Sequence, residues 1–169
     1  MPKQYIYKLN VNTIELKDND IENKELSFFT ISNFLDFFLH LFPLINYFKI
    51  SNTLFKLFLK TLITRKVIYF TRMGDNIVSD GEVTFGYCNH YTIRKNDCVI
   101  GPVNTDPNFQ GKGIATYSLK SCIQVLFTKY AIENIFIDTK EDNFAMQKVI
   151  AKAGFGDKTG YYERENDLL

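Results

Sequence analysis

A chain of 169 residues, 46% of them hydrophobic, has the length of about one domain and enough apolar material for one core, which excludes the disordered and fibrous classes. Twenty Lys and Arg against 19 Asp and Glu leave a formal net charge of +1, so no global field draws the chain to a nucleic acid polymer, and any anion it binds must be held locally. The three cysteines, Cys88, Cys98 and Cys122, are scattered and form no C-x-x-C pair, which argues against a disulfide framework or a metal site and favours a reducing, cytoplasmic setting.

Tyr5, Tyr7 and Leu9 alternate with polar neighbours and predict a strand near residues 4–10, and the opening MPKQYIYKLN lacks the continuous apolar stretch of a signal peptide. A polar, acidic stretch then runs through Glu25. From Ile31 to Ile63 the chain is crowded with Phe, Leu and Ile, but Asp36, His40, Pro43, Asn46, Lys49, Asn52, Lys56 and Lys60 interrupt it, so no run reaches the roughly 20 apolar residues of a transmembrane helix. Two short helices around Pro43 are expected. Phe34, Leu35, Phe38, Leu39 and Phe42 share one face of the first, which Pro43 should end at the preceding residue. Ser51 or Asn52 caps the second, whose stripe of Leu54, Phe55, Phe58, Leu59, Leu62 and Ile63 is expected to pack on a sheet while Lys56, Lys60 and Arg65 face elsewhere. A basic amphipathic surface that touches a membrane or partner is the alternative.

From Lys66 the pattern becomes that of strands. Val67-Ile68-Tyr69-Phe70 leads through Gly74-Asp75-Asn76 into Ile77 to Tyr87, a hairpin, and Asp97 to Thr105 reads as a strand in which Gly101-Pro102 must cost a ladder bond or form a bulge. A helix from Gly113 to Tyr130, a strand at Asn134 to Asp138, a helix from Asp142 to Ala153 ending at Gly154, and a strand within Lys158 to Arg164 complete the order. Strand, two helices, three strands, helix, strand, helix, strand describe an α+β sandwich, one domain over residues 1–169, around a central mixed, mostly antiparallel sheet.

Pro107-Asn-Phe-Gln-Gly-Lys-Gly-Ile-Ala-Thr116 lies where a strand gives way to a helix. The first helical turn offers unpaired N–H groups and a partial positive charge, and Gly111 and Gly113 let the oxygens of a pyrophosphate approach the amides from Gly111 to Thr116. Lys112 adds a mobile charge. The loop is neither G-x-x-x-x-G-K-S/T nor G-x-G-x-x-G, since Thr116 stands at the third glycine position, so nucleoside-triphosphate hydrolysis and dinucleotide binding are disfavoured.

Gln110-Gly111-Lys112-Gly113-Ile114-Ala115 resembles the Q/R-x-x-G-x-G/A signature of the GCN5-related N-acetyltransferase superfamily, with Pro107 at its usual preceding proline. Asn143-Phe-Ala-Met-Gln-Lys-Val-Ile-Ala-Lys-Ala-Gly-Phe155 resembles the family's N-x-A-x-x-x-x-x-x-K-x-G-F segment. The resemblance covers about residues 66–156 and implies acetyl-CoA as cofactor, lying in an opening where the strand ending near Thr105 splays from that at Ile135–Thr139. Besides the loop from Gln110 to Thr116 and Asn143, it implies backbone donors at Val103, Asn104 and Thr105 for the developing oxyanion.

Many relatives carry a tyrosine acid seven residues after the motif asparagine. Here that position is Ile150, leaving Tyr161 or Tyr162, a water near Met146, or no protein acid. His90 is attractive as a base because its unperturbed pKa lies near neutrality, with Glu82 or Asp138 acting through a water as alternatives. The cysteines lack a paired histidine, which disfavours covalent catalysis. Little acidic clustering appears along the sequence of the acceptor regions, which disfavours a cationic acceptor such as a polyamine or histone tail. The Val99 to Gly113 and Ile135 to Thr139 segments are similar to relatives found among surface-polysaccharide (lipopolysaccharide) genes, which implies a small-molecule amine acceptor on a nucleotide-linked amino sugar. Acetylation of a protein N-terminus or lysine, and a non-catalytic acyl-CoA-binding module, are the alternatives. The Phe-rich helices and strand edges permit a homodimer.

Overall fold

A computed structural model describes residues 2–10, 25–63 and 66–164, with the backbone alone for 61–63. One sheet of seven strands organises it, in the order β2-β3-β4-β5-β6-β1-β7. The strands are β1 (Lys3–Asn10), β2 (Leu26–Ile31), β3 (Lys66–Met73), β4 (Asn76–Phe85), β5 (Asp97–Thr105), β6 (Asn134–Lys140) and β7 (Gly160–Glu163). β5 and β6 run parallel, and every other pair is antiparallel. The helices are α1 (Phe34–Leu39), α2 (Leu41–Phe48), α3 (Asn52–Ile63), α4 (Ile114–Lys129) and α5 (Phe144–Lys152).

Alternation along the strands gives the sheet two different faces. On the rear, Val67, Tyr69, Val83, Ile100, Ile135 and Ile137 pack against Leu119, Cys122, Ile123 and Leu126 of α4 and Ile150 of α5. On the front, Ile68, Phe70 and Ile77 meet Phe37, Leu44 and Leu57 of α1, α2 and α3. These helices cover only the β2-β3-β4 side. Over β6 and β7 the front is met instead by the loop after β4, where the Tyr91 ring lies 6.0 Å from Phe136 and the His90 ring 4.9 Å from Tyr162.

The expected α+β sandwich and mixed sheet are present, with three differences in detail. Leu26–Ile31 is a strand, not the approach to a helix: Phe28 stacks on Tyr69 and Phe29 on Phe70, so its aromatics serve both faces and show no clean alternation. The N-terminal helical region has three helices, because Pro43 sits in the first turn of α2, where its missing N–H would have had no intrahelical partner. The face of Phe34, Leu35, Phe38, Leu39 and Phe42 is the exposed one, and α1 turns Phe37 into the core. The acidic stretch before Glu25 and the placement of Arg65 lie outside the described residues.

The sheet opens at one place. β5 pairs with β6 only from Asp97↔Asn134 to Ile100↔Ile137, and from Gly101 onward it follows β4 alone. The β4–β5 register shifts between Gly81 and Val83, opposite a cis Gly101–Pro102 peptide. Gly81 is required here, since a Cβ would lie 2.2 Å from Cζ and Oη of the fully buried Tyr69 and 2.7 Å from the Pro102 carbonyl oxygen. Gly81→Ala is therefore expected to lower stability by roughly 3 kcal/mol through overpacking, read as a fall in the denaturant midpoint. An unchanged midpoint would show that Tyr69 has room to move.

Candidate active site

The rear of the opening is a cavity of about 480 Å³. Its walls are the end of β5 at Val103 and Thr105, the loop at Phe109 to Gly113, the start of α4, and the α5 side chains Met146, Lys148, Val149 and Lys152. Gly111 and Gly113 hold φ values of 76° and 79°, the left-handed region that glycine enters without strain, and a Cβ on either would meet nothing within 4 Å. Gly113 caps α4 with no side chain, so the first-turn N–H groups point at open space. A helix N-terminus, two bare glycines and the nearby Lys148 and Lys152 suit an anionic ligand.

Of the residues expected to hold the cofactor, Val103, Thr105, Gln110, Gly111, Gly113, Ile114, Ala115, Thr116 and Asn143 line this cavity together. Two have further duties. The Gln110 side-chain amide donates to the Thr105 carbonyl oxygen at 3.2 Å, closing the loop onto its strand, and Asn143 Oδ1 accepts from the Met146 N–H at 3.1 Å as the cap of α5. Lys112 stands outside over the Phe109 ring, and Asn104 turns to the opposite face, where its amide donates to Asp80 Oδ2 at 3.1 Å. Ile150 is sealed in the rear core, so the position of the family tyrosine offers no proton.

The front of the opening is rich in carboxylates. Asp138 stands on β6 just past Ile137, the last residue paired with β5. Its Oδ2 accepts from the Tyr91 hydroxyl and its Oδ1 from the Tyr162 hydroxyl, each at 3.1 Å. Burial and the Asp138 charge push both phenols well above the ordinary tyrosine value, so they stay protonated donors at any physiological pH. Across β5, Asp80 accepts from Asn104 and, at 3.1 Å, from the Tyr47 hydroxyl of α2, whose pKa burial and Asp80 raise to about 12. A hollow of about 400 Å³ in the loop from Gly86 to Ile93 adjoins the Asp138 group.

The candidate acid–base residues separate. His90 is exposed, and its ring lies parallel to Tyr162, at an angle of 6°. Tyr161 pairs with Tyr5 and points to the other face from Tyr162, 61% exposed beneath the Lys3 ammonium, so it lies apart from Asp138. Glu82 is engaged by Lys60 at 2.8 Å and by Lys66. Burial pushes its carboxyl up, but the two lysine hydrogen bonds outweigh this and hold it below the ordinary glutamate value, which makes it a poor base. A carboxyl depressed by folding stabilises above its unfolded pKa and loses that contribution as pH falls through the folded one. Glu82→Gln should thus lower the denaturant midpoint at neutral pH, with the gap to wild type closing below about pH 4. A gap independent of pH would contradict the ion-pair assignment. Cys98 and Cys122 are buried thiols raised in pKa, Cys98 to about 12, and are unsuited to nucleophilic work.

The family model for acetyltransferases (GNAT) matches residues 46–155. The chain belongs to the acetyltransferase (GNAT) family. Acetyl-CoA is the cosubstrate that goes with this family, and the rear cavity, with its cradle of free amides and nearby lysines, fits such a molecule. Solved structures share the GNAT fold at low identity. A GCN5-related N-acetyltransferase from Kribbella flavida is 7% identical with a TM-score of 0.58, over 92% of this chain and 55% of that one. A tandem GNAT protein of the clavulanic acid biosynthesis pathway is 15% identical with a TM-score of 0.60, over 94% and 51%. The chain thus spans about half the length of these two, at 55% and 51%. AAC(6')-Iy, solved with the bisubstrate analogue CoA-S-monomethyl-acetylneamine, is 12% identical with a TM-score of 0.61, over 85% and 99%. No curated protein matches. Among the described residues no helix is long and apolar enough to cross a membrane.

Proposed function

We propose that this GNAT chain is an N-acetyltransferase whose acceptor is the primary amine of an amino sugar, bound on the front face beside Asp138. The observation that carries the reading is the placement of two carboxylates, Asp80 on β4 and Asp138 on β6, on either side of the departing β5 and opposite the cofactor cavity. Such a pair attracts a protonated amine. The Tyr91, Tyr162 and His90 rings add flat apolar surface beside hydroxyl and carboxylate groups, the mixture a sugar ring needs. That AAC(6')-Iy takes an acetylneamine conjugate supports the same acceptor class.

Acetyl-CoA supplies an activated acetyl group. The loop from Gly111 to Thr116 holds its phosphates by backbone amides, and the main chain from Val103 to Thr105, unpaired toward β6, offers N–H groups to its carbonyl oxygen. Asp138 takes the proton that the amine must lose, while Tyr91 and Tyr162 fix the carboxylate in place. This reading assigns no side-chain acid for the thiolate. Because carboxylates repel a diphosphate, the Asp80 and Asp138 pair favours an amino sugar without that anion over a nucleotide-linked one.

The test is thiol release from acetyl-CoA with four acceptors: a neamine-type amino sugar, a nucleotide-linked amino sugar, a lysine peptide and a peptide with a free N-terminus. The amino sugar should give the highest kcat/KM. Release with peptides alone would overturn the acceptor class, and thermal stabilisation by acetyl-CoA without release on any amine would replace transfer by binding.

A further inference from the structure

The apolar face of α1 and α2 faces solvent. Leu39 is 78% exposed, Phe42 74% and Ile50 90%, and Phe34, Leu35, Phe38 and Phe55 are exposed with them. The Phe34, Phe38 and Phe58 rings lie within 6.2 Å of one another across the α1–α3 contact, which makes this a joined surface and not scattered residues. Large exposed apolar patches of this kind are covered in use.

Charge narrows what covers it. Lys60 and Lys66 are paired with Glu82 of β4, which leaves Lys49 and Lys56 as the cations of the α2–α3 corner, and between Leu26 and Gly74 the chain carries a single acid, Asp36. That carboxylate is held at the start of α1, its Oδ2 accepting from the Ser32 N–H at 2.9 Å and the Ser32 hydroxyl at 2.7 Å. Lys49 and Lys56 are exposed around the patch. In a two-fold contact between copies, the lysines of both would enter one interface, and Asp36, already held by Ser32, is the single carboxylate these helices offer them. An anionic lipid surface takes Phe and Leu side chains at its acyl boundary and lysines at its headgroups. Lys49 itself, at φ 57°, occupies the left-handed region at the corner that leaves Ile50 projecting.

We propose that the exposed face of α1 and α2, with Ile50 and the lysines of the α2–α3 corner, docks on an anionic phospholipid bilayer without crossing it. The inference is independent of the acceptor, since these residues line neither the cavity nor the Asp138 hollow.

Co-sedimentation of the full chain with vesicles tests it, using phosphatidylcholine alone or with part replaced by phosphatidylserine. The bound fraction should be at least ~10-fold higher on the anionic vesicles and fall with added salt. Leu39→Ser with Phe42→Ser should remove the binding, and Lys49→Glu with Lys56→Glu should erase the preference for phosphatidylserine. Thermal stabilisation by acetyl-CoA, retained in both variants, shows that they fold. Absence of binding to either vesicle, or binding that neither pair of substitutions changes, overturns the proposal. A dimer in sedimentation equilibrium that Leu39→Ser with Phe42→Ser converts to monomer overturns it in favour of a second copy.

Discussion

Asp138→Asn is expected to lower kcat/KM for the amine acceptor by about 10²–10⁴, the usual worth of a positioned acid or base. The substitution keeps the shape of the side chain, and each tyrosine hydroxyl can turn to meet an amide, so the fold should hold. It removes the ability to take a proton and the negative charge that draws an ammonium. Two of the carboxylate's lone-pair sites are filled by Tyr91 and Tyr162, which leaves capacity for the acceptor. Tyr91→Phe and Tyr162→Phe should each cost less, about 10-fold, because one hydroxyl remains to orient the carboxylate. Acetyl-CoA affinity should not change in any of them, as these side chains lie on the face opposite the cavity. If Asp138→Asn retains wild-type kcat/KM, the base lies elsewhere, and His90, stacked on Tyr162, is the next group to remove.

Gly113→Val should raise the KM for acetyl-CoA by about 10²-fold, with a smaller change in kcat. Left-handed backbone costs a residue with a Cβ roughly 1–2 kcal/mol, and a β-branched one suffers most. The added atoms enter the space over the α4 N-terminus that lets phosphate oxygens reach the amides, where nothing within 4 Å stands now. The chain can therefore still fold around the change while losing the close approach. Gly154→Val supplies the control. Gly154 also has positive φ, at 98°, and open space around its Cβ, but it ends α5 outside the cavity lining. It should cost similar stability and leave the KM for acetyl-CoA unchanged. Equal effects at the two positions would mean that Gly113 serves the fold alone.

The cofactor side was legible because its chemistry is written into local backbone. Glycines at 111 and 113, followed at once by a helix, dictate left-handed turns and a bare N-terminus within the single stretch from Pro107 to Thr116. The proposed acceptor side rests on long-range pairing, which local patterns do not carry. Tyr91 reaches Asp138 across 47 positions and Tyr47 reaches Asp80 across 33, so the carboxylates that looked dispersed in the chain gather on one face. The choice between Tyr161 and Tyr162 turned on the phase of a four-residue strand, set by its register Gln4↔Tyr162. Periodicity found the Phe34 to Phe42 face but not its direction, because an apolar stripe looks the same whether a sheet or a bilayer covers it. The insertion of β1 between β6 and β7 has no local signal at all.

In the proposed arrangement acetyl donor and amine acceptor approach from opposite faces of one sheet and meet where β5 leaves β6. Titration calorimetry with CoA and with a CoA–acetyl–amino-sugar conjugate tests this most directly. The conjugate should bind at least ~10²-fold more tightly than CoA, because it fills both halves of the opening at once. Equal affinities would contradict it, placing the acceptor away from Asp138 and the cofactor cavity alone at the opening.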